Sequence, residues 1–276
     1  MDNYLTELFH CFGIENFAQV KLNSHLITKP YKLSRAGFDE GKELYAIILA
    51  VPYLVKNQEK NISAYAFAND YHLYFKKLFG FILPKLKEKN PDYSFSGFAD
   101  DSPINERVVA AIGGLGILGL NGMLITEKYS SYVFLGEIIT DMPLDTKELE
   151  VKKCEECGAC MRACPKNDCG VCLSELTQKK GELTDKEKFA IQKYDSAWGC
   201  DICQEVCPHT KKAIKTGTIY TNINFFTENI ISKLSSSILD SMSDEEFSTR
   251  AYSWRKRDTI RRNLLLLEDK SDQTPS

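Results

Sequence analysis

Nine of the ten cysteines lie between Cys154 and Cys207. The first run, Cys154-Glu-Glu-Cys157-Gly-Ala-Cys160-Met-Arg-Ala-Cys164-Pro165, has the C-x2-C-x2-C-x3-C-P spacing that wraps [4Fe–4S] clusters. The second, Cys200-Asp-Ile-Cys203-Gln-Glu-Val-Cys207-Pro208, repeats that grammar with one cysteine fewer. Cys172 stands between them and can supply an eighth thiolate. No other stretch constrains the chain so tightly, because thiolates at this spacing surround an inorganic core and not an apolar one.

A cubane takes four soft ligands, and a short loop can provide three of them. In two-cluster modules the cysteine before proline crosses to the other cluster. That rule assigns Cys154, Cys157, Cys160 and Cys207 to cluster 1, and Cys164, Cys172, Cys200 and Cys203 to cluster 2. Cys169 is an alternative to Cys172. Structural zinc is the competing reading of paired C-x2-C motifs, but nine cysteines exceed what a zinc ribbon needs. Cys11, far from the rest, reads as an inert structural thiol.

At 276 residues the chain is longer than a bare cluster module requires, so a further domain is expected. A net charge of −3 does not mark the whole surface for nucleic acid. There is no apolar run of membrane-spanning length and no secretory leader pattern, and the cysteines cluster at metal spacing instead of forming a disulfide framework. The expected location is cytoplasmic, with no membrane partner.

Residues 1–20 are expected to form an amphipathic helix and a turn. The continuous apolar run over 43–54 predicts a strand buried on both faces. A helix should follow from about Tyr71 to Pro84, then a strand over 92–98. Asp100-Asp101-Ser102-Pro103 looks like a helix start, with Ser102 or Asp101 as N-cap and Pro103 in the first turn. The glycine-rich Gly113–Gly119 lacks the preceding strand of a dinucleotide fingerprint, and is expected to serve a tight turn or close approach to a planar ligand. Strands are expected over 123–126 and 131–140. Thr184-x-x-Glu187 and Ser243-x-x-Glu246 are capping boxes. Helices are expected near 223–236, 243–251 and 257–268. The fold class is α+β: a mixed-sheet domain over 1–150, a ferredoxin-like double-cluster module over 151–215, and a helical segment over 216–276 that packs back on the core.

Several separated stretches together resemble the epoxyqueuosine reductase family, cobalamin-dependent double-cluster enzymes related to reductive dehalogenases. The stretches are Ser63-Ala-Tyr-Ala with Asp70-Tyr-His72, Asp100-Asp-Ser-Pro103 with Glu106-Arg107, and Gly114-Leu-Gly-Ile-Leu-Gly-Leu-Asn121. They continue with Leu135-Gly-Glu-Ile-Ile-Thr-Asp141, Cys172-Leu-Ser-Glu-Leu-Thr177, Gly199-Cys-Asp-Ile-Cys-Gln, and Ser253-Trp254-Arg255 followed by Arg262-Asn263. Four features differ from the family pattern. Leu120 stands where the family has Lys, the segment between the first helix and Glu43 is short and lacks the family's basic residue before its first core strand, the loop from Cys164 to Cys172 is short, and the family's C-terminal helical-repeat extension has no counterpart in these residues.

The resemblance implies two [4Fe–4S] clusters and a cobalamin, with tRNA bearing a queuosine-type anticodon as partner and epoxyqueuosine as substrate. Reduced ferredoxin or flavodoxin is the implied electron donor. It places the proton donor at Asp100, with Asp101 as rival, and cofactor contacts at Ser63, Asp100, Leu124, Leu135, Ser174 and Asp201. An acid suits the reaction, since an epoxide oxygen leaves far more readily once protonated. The alternatives are the same cofactors acting on a small molecule, as in reductive dehalogenases, or a ferredoxin-like electron carrier. A basic group, Arg250, Arg255, Lys256, Arg257, Arg261 and Arg262, reads either as a phosphate-binding face or as a solvated helix side.

Overall fold

The computed structural model describes residues 2–39, 41–56 and 59–271. They divide into two compact units that interleave along the chain. The first comprises 1–52, 72–157 and 213–219; the second comprises 53–71, 158–212 and 220–276. The 53–71 segment belongs to the second unit, and 213–219 to the first.

In chain order the helices are α1 (Asp2–His10), α2 (Pro30–Arg35), α3 (Tyr71–Lys89), α4 (Glu106–Ile112), α5 (Ala159–Arg162), α6 (Lys166–Cys169) and α7 (Leu173–Thr177). They continue with α8 (Asp185–Lys193), α9 (Ile202–Glu205), α10 (Pro208–Thr216), α11 (Asn224–Thr227), α12 (Ser236–Ser241), α13 (Asp244–Ser248) and α14 (Lys256–Ser271). The strands are β1 (Asn16–Leu22), β2 (Leu44–Pro52), β3 (Phe95–Ala99), β4 (Ile117–Leu118), β5 (Leu124–Ile125) and β6 (Val133–Thr140).

The first unit is built on a four-stranded sheet ordered β1-β2-β6-β3. Every pairing in it is antiparallel, so the expected mixed sheet is corrected. β6 inserts between β2 and β3 and runs against both. β2 is the expected strand, buried along its whole length. Gly136 of β6 lies beneath the Phe75 ring of α3, where a Cβ would come within 2.2 Å of a ring carbon. The other face of the sheet packs on α4 through Val20, Ala46, Ile48, Val109, Ala110 and Ile139.

Three further expectations change. Residues 16–20 belong to β1 and not to the first helix. α3 runs through Pro84 to Lys89, because its apolar face continues to a fully buried Leu86 and packing outweighs the lost backbone bond. α4 starts at Glu106 with Asn105 before it, so neither Asp101 nor Ser102 caps it.

The second unit consists of short helices around a core of Leu173, Leu176, Leu183, Ala190 and Ile191. The Thr184–Glu187 capping box forms in both directions. Ser243 accepts from the Glu246 amide at 3.0 Å as an ordinary N-cap.

Candidate active site and cysteine module

In the first unit the sheet delivers a tight turn at the end of β3. Asp100 has φ 66°, a left-handed conformation that Asp tolerates better than most residues. The amide of Asp101 donates to the Ala99 carbonyl at 2.9 Å, and that of Ser102 to the Asp100 carbonyl at 2.9 Å. The Ser102 hydroxyl is buried, donates to Glu137 of β6 and accepts from the Ile104 amide at 3.0 Å. This is why Ser102 does not cap a helix.

The two candidate acids differ sharply. Asp101 is clamped by Lys29 Nζ at 2.7 Å and by Lys32, and the lysines hold its carboxyl down at about 2. It is a carboxylate at neutral pH. Asp100 projects outward with 68% of its side chain exposed, and His72 Nε2 lies 3.8 Å from Oδ2.

The glycine-rich loop folds on itself. A Cβ at Gly116 would stand 2.4 Å from the Ile125 carbonyl oxygen, so the close approach made there is to the chain's own β5. From this loop the Leu120 amide donates to Cys154 Sγ at 3.3 Å, and the Cys154 amide returns to the Leu118 carbonyl at 2.9 Å. An amide aimed at sulfur is the kind of bond that stabilises a ligating thiolate. Leu124 is buried in the core, and Leu135 is a partly buried neighbour of the same cluster.

In the second unit Ser63 and Asp201 come together, but as partners of each other. The buried Asp201 carboxylate accepts from Lys60 Nζ at 2.6 Å, the Ala64 amide at 2.8 Å, Gln204 Nε2 at 3.3 Å and the Ser63 hydroxyl. The Ser63 amide also donates to the Trp198 carbonyl at 2.7 Å. Ser174, on α7, accepts from Gln178 Nε2 at 3.3 Å.

α5 and α9, which carry Cys160 and Cys203, pack against each other. Burial pushes the Cys200 thiol up to about 12, with further contributions from Asp201 and from the sulfurs of Cys203 and Cys172. Three sulfurs thus share one neighbourhood, the setting a cationic cluster would relieve. Cys169 points elsewhere: its thiol donates to the Pro165 carbonyl at 3.3 Å and the Val171 carbonyl at 3.2 Å. Among the described residues, no group of three or more His, Cys, Asp or Glu side chains is close enough to hold a single metal ion.

No family model matches the chain. Its sequence is 29% identical over 248 residues to an epoxyqueuosine reductase of Listeria monocytogenes, covering 83% of this chain and 64% of that protein. It is 30% identical over 216 residues to the corresponding Gloeobacter violaceus protein, covering 74% and 65%. A crystal structure of a selenomethionine-labelled epoxyqueuosine reductase superposes with a TM-score of 0.76 at 25% identity, over 96% of this chain and 80% of the other. Over most of its length the chain is similar to epoxyqueuosine reductases in both sequence and fold. It spans just under two thirds of the length of these relatives. The fold also matches an epoxyqueuosine reductase crystallised with an epoxyqueuosine-modified tRNA stem loop, with a TM-score of 0.74 at 24% identity.

Within this fold, two groups have partners that the sequence did not indicate. Arg262 and Asn263, read from the sequence as a motif and, for Arg262, as part of the basic group, knit the second unit's backbone. Asn263 Nδ2 donates to the Thr177 and Ala197 carbonyls at 2.7 and 2.9 Å, and Arg262 donates to the Lys179 carbonyl at 2.9 Å. Glu137 is the other, a fully buried carboxyl in β6. Its signal was visible as the one acidic residue in an otherwise apolar strand.

Proposed function

We propose that the chain is a cobalamin-dependent iron–sulfur reductase that converts epoxyqueuosine to queuosine in tRNA. The observation that carries this reading is the division of labour at the β3 turn: lysines hold Asp101 ionised, while Asp100 is presented on a strained turn with neither of those lysines on its carboxylate. Bound cobalamin and clusters would supply the electrons. Both carbon–oxygen bonds of the epoxide break, a carbon–carbon double bond forms between the two carbons, and two electrons and two protons release the oxygen as water. Asp100 would protonate the departing oxygen.

The cysteines fit two [4Fe–4S] clusters, with Cys154, Cys157, Cys160 and Cys207 holding cluster 1 and Cys164, Cys172, Cys200 and Cys203 holding cluster 2. The neighbourhood of Cys172, Cys200 and Cys203 supports Cys172 over Cys169 as the eighth ligand. Ser63 and Asp201 would act on a corrin indirectly, by fixing the 60–64 segment against the second cysteine motif. Leu124 and Leu135 would shape the wall behind the Asp100 turn, and Ser174 would face the cofactor from α7. Reduced ferredoxin or flavodoxin is the proposed donor. No helix among the described residues is long and apolar enough to cross a membrane; cytoplasmic location is part of the proposal.

A small-molecule substrate is the second reading, and one observation favours it. Most of the basic group serves the chain itself. Arg250 is buried on the Asn229 carbonyl at 2.6 Å, Arg257 bonds the Leu239 carbonyl at 2.6 Å, and Arg261 pairs with Asp240 at 2.7 Å. Arg255 stacks 3.9 Å over Trp254. The test is anaerobic reconstitution with iron, sulfide and cobalamin, followed by reaction with an epoxyqueuosine-bearing anticodon stem loop. Loss of one oxygen by mass spectrometry is expected. Full cofactor loading with no binding of the stem loop at low salt would exclude tRNA as substrate.

A further inference from the structure

Behind the Asp100 turn lie two carboxyls that the chemistry above does not use. Glu137 projects from β6 into the layer between the sheet and α4, and is 0% exposed. Glu106 opens α4 beside it. Each keeps one buried oxygen, Glu106 Oε1 and Glu137 Oε2, with no hydrogen-bond partner of the ordinary kind. Two carboxylates are both acceptors, so neighbouring oxygens can bond only if one carries a proton. Ionising both would place like charges together in an apolar layer, which costs far more than sharing a proton.

We propose that Glu106 and Glu137 hold one proton between them and act as positioning residues that clasp the turn presenting Asp100. Glu137 accepts the Ser102 hydroxyl, and Ser102 in turn accepts the Ile104 amide at 3.0 Å. The shared proton fixes Glu137, and through it Ser102, two residues beyond the strained Asp100. Burial raises both carboxyls above the ordinary range, and the charge of Glu106 raises Glu137 further.

The surroundings do not supply a competing cation to Glu137. Its register partners, Ile48 of β2 and Phe98 of β3, are uncharged, and α4 offers Val109 and Ala110 to the same layer. From α4, Arg107 bears on Glu106 but donates to the Gly122 carbonyl. From the turn, Asp100 adds negative charge at Glu106, and His72 stands beside Asp100. Lys29 and Lys32 are engaged by Asp101. A group whose folded pKa is raised stabilises the fold below the ordinary carboxylate range and loses that contribution as pH rises through the raised value. The clasp should therefore loosen on the alkaline side.

This inference rests on Asp100 as the acid only for its catalytic meaning; the shared proton and the clasp stand or fall separately. The test uses reconstituted holoprotein. Infrared spectra at neutral pH should contain the carbonyl stretch of a protonated carboxylic acid that E137Q removes. Hydrogen exchange of the peptide covering 99–105 should be unchanged in E137Q, whose amide keeps the shape of the protonated acid, and about tenfold faster in E137A. E106Q against E106A repeats the comparison at a partly exposed position if E137A does not fold. Absence of the protonated-acid band in wild type, or exchange in the alanine variants equal to wild type, would overturn the proposal. Loss of the acid reading, by an active D100N, would leave these two readouts untouched.

Discussion

Asp100 and Asp201 both lie in stretches that resemble family motifs, and the two units treat their carboxylates in opposite ways. Asp201 is sealed in, with Lys60, Ser63, Ala64 and Gln204 donating to it. Asp100 is turned outward on a left-handed residue, while Ser102, two positions on, is anchored to the buried Glu137. A carboxylate filled by protein donors fixes structure, and one left to solvent on a constrained turn is suited to meet a substrate. Motif membership alone does not separate these roles; the donor inventory does.

The sharpest way to break the comparison is to remove the buried carboxylate. Asp201→Ala leaves Ser63 and the Ala64 amide without their acceptor and Lys60 with Glu205 alone. A loss of about 2–4 kcal/mol is expected in chemical denaturation of the reconstituted protein, together with weaker retention of the cluster absorbance. If D201A unfolds like wild type, Asp201 is not the staple described here.

Asn263→Ala should follow, at about 1–3 kcal/mol, because two buried carbonyls lose their donor. The same denaturation series reads it, and iron content should fall with it, since those carbonyls belong to the backbones leading from Cys172 and toward Cys200. Asp101→Asn should do least to stability, because Asp101 itself is exposed to solvent. Its effect should have a direction in pH. The folded carboxyl is depressed from 3.8 to about 2, so wild type holds this contribution above the higher value and loses it as pH falls through the lower. Acid unfolding curves of wild type and D101N should therefore converge only at the acid end.

What could be read from the sequence was what short range determines. The buried strand β2 follows from nine successive buried positions, and the cysteine grammar follows from spacing alone. The Thr184–Glu187 box also formed as written. What could not be read depended on partners far along the chain. Asp-Asp-Ser-Pro satisfies the local chemistry of a helix start, yet Ser102 is drawn to Glu137 on another strand and the helix begins at Glu106 instead. Ser63 and Asp201 read as two separate cofactor contacts, but they bond to each other across 138 positions. The C-terminal arginines read as a charged face, and their carbonyl acceptors appear only once α12, α13 and α14 are folded together.

Asp100 is the presented acid and Asp101 the clamped one. The direct measurement is single-turnover conversion of the epoxyqueuosine stem loop by wild type, D100N and D101N, each first shown to carry equal iron and cobalamin. D100N should lose about 10²- to 10⁴-fold in rate, the usual weight of a positioned acid, while D101N stays within about tenfold of wild type. A D100N protein that turns over like wild type, or a D101N protein that loses as much as D100N was expected to lose, would contradict it.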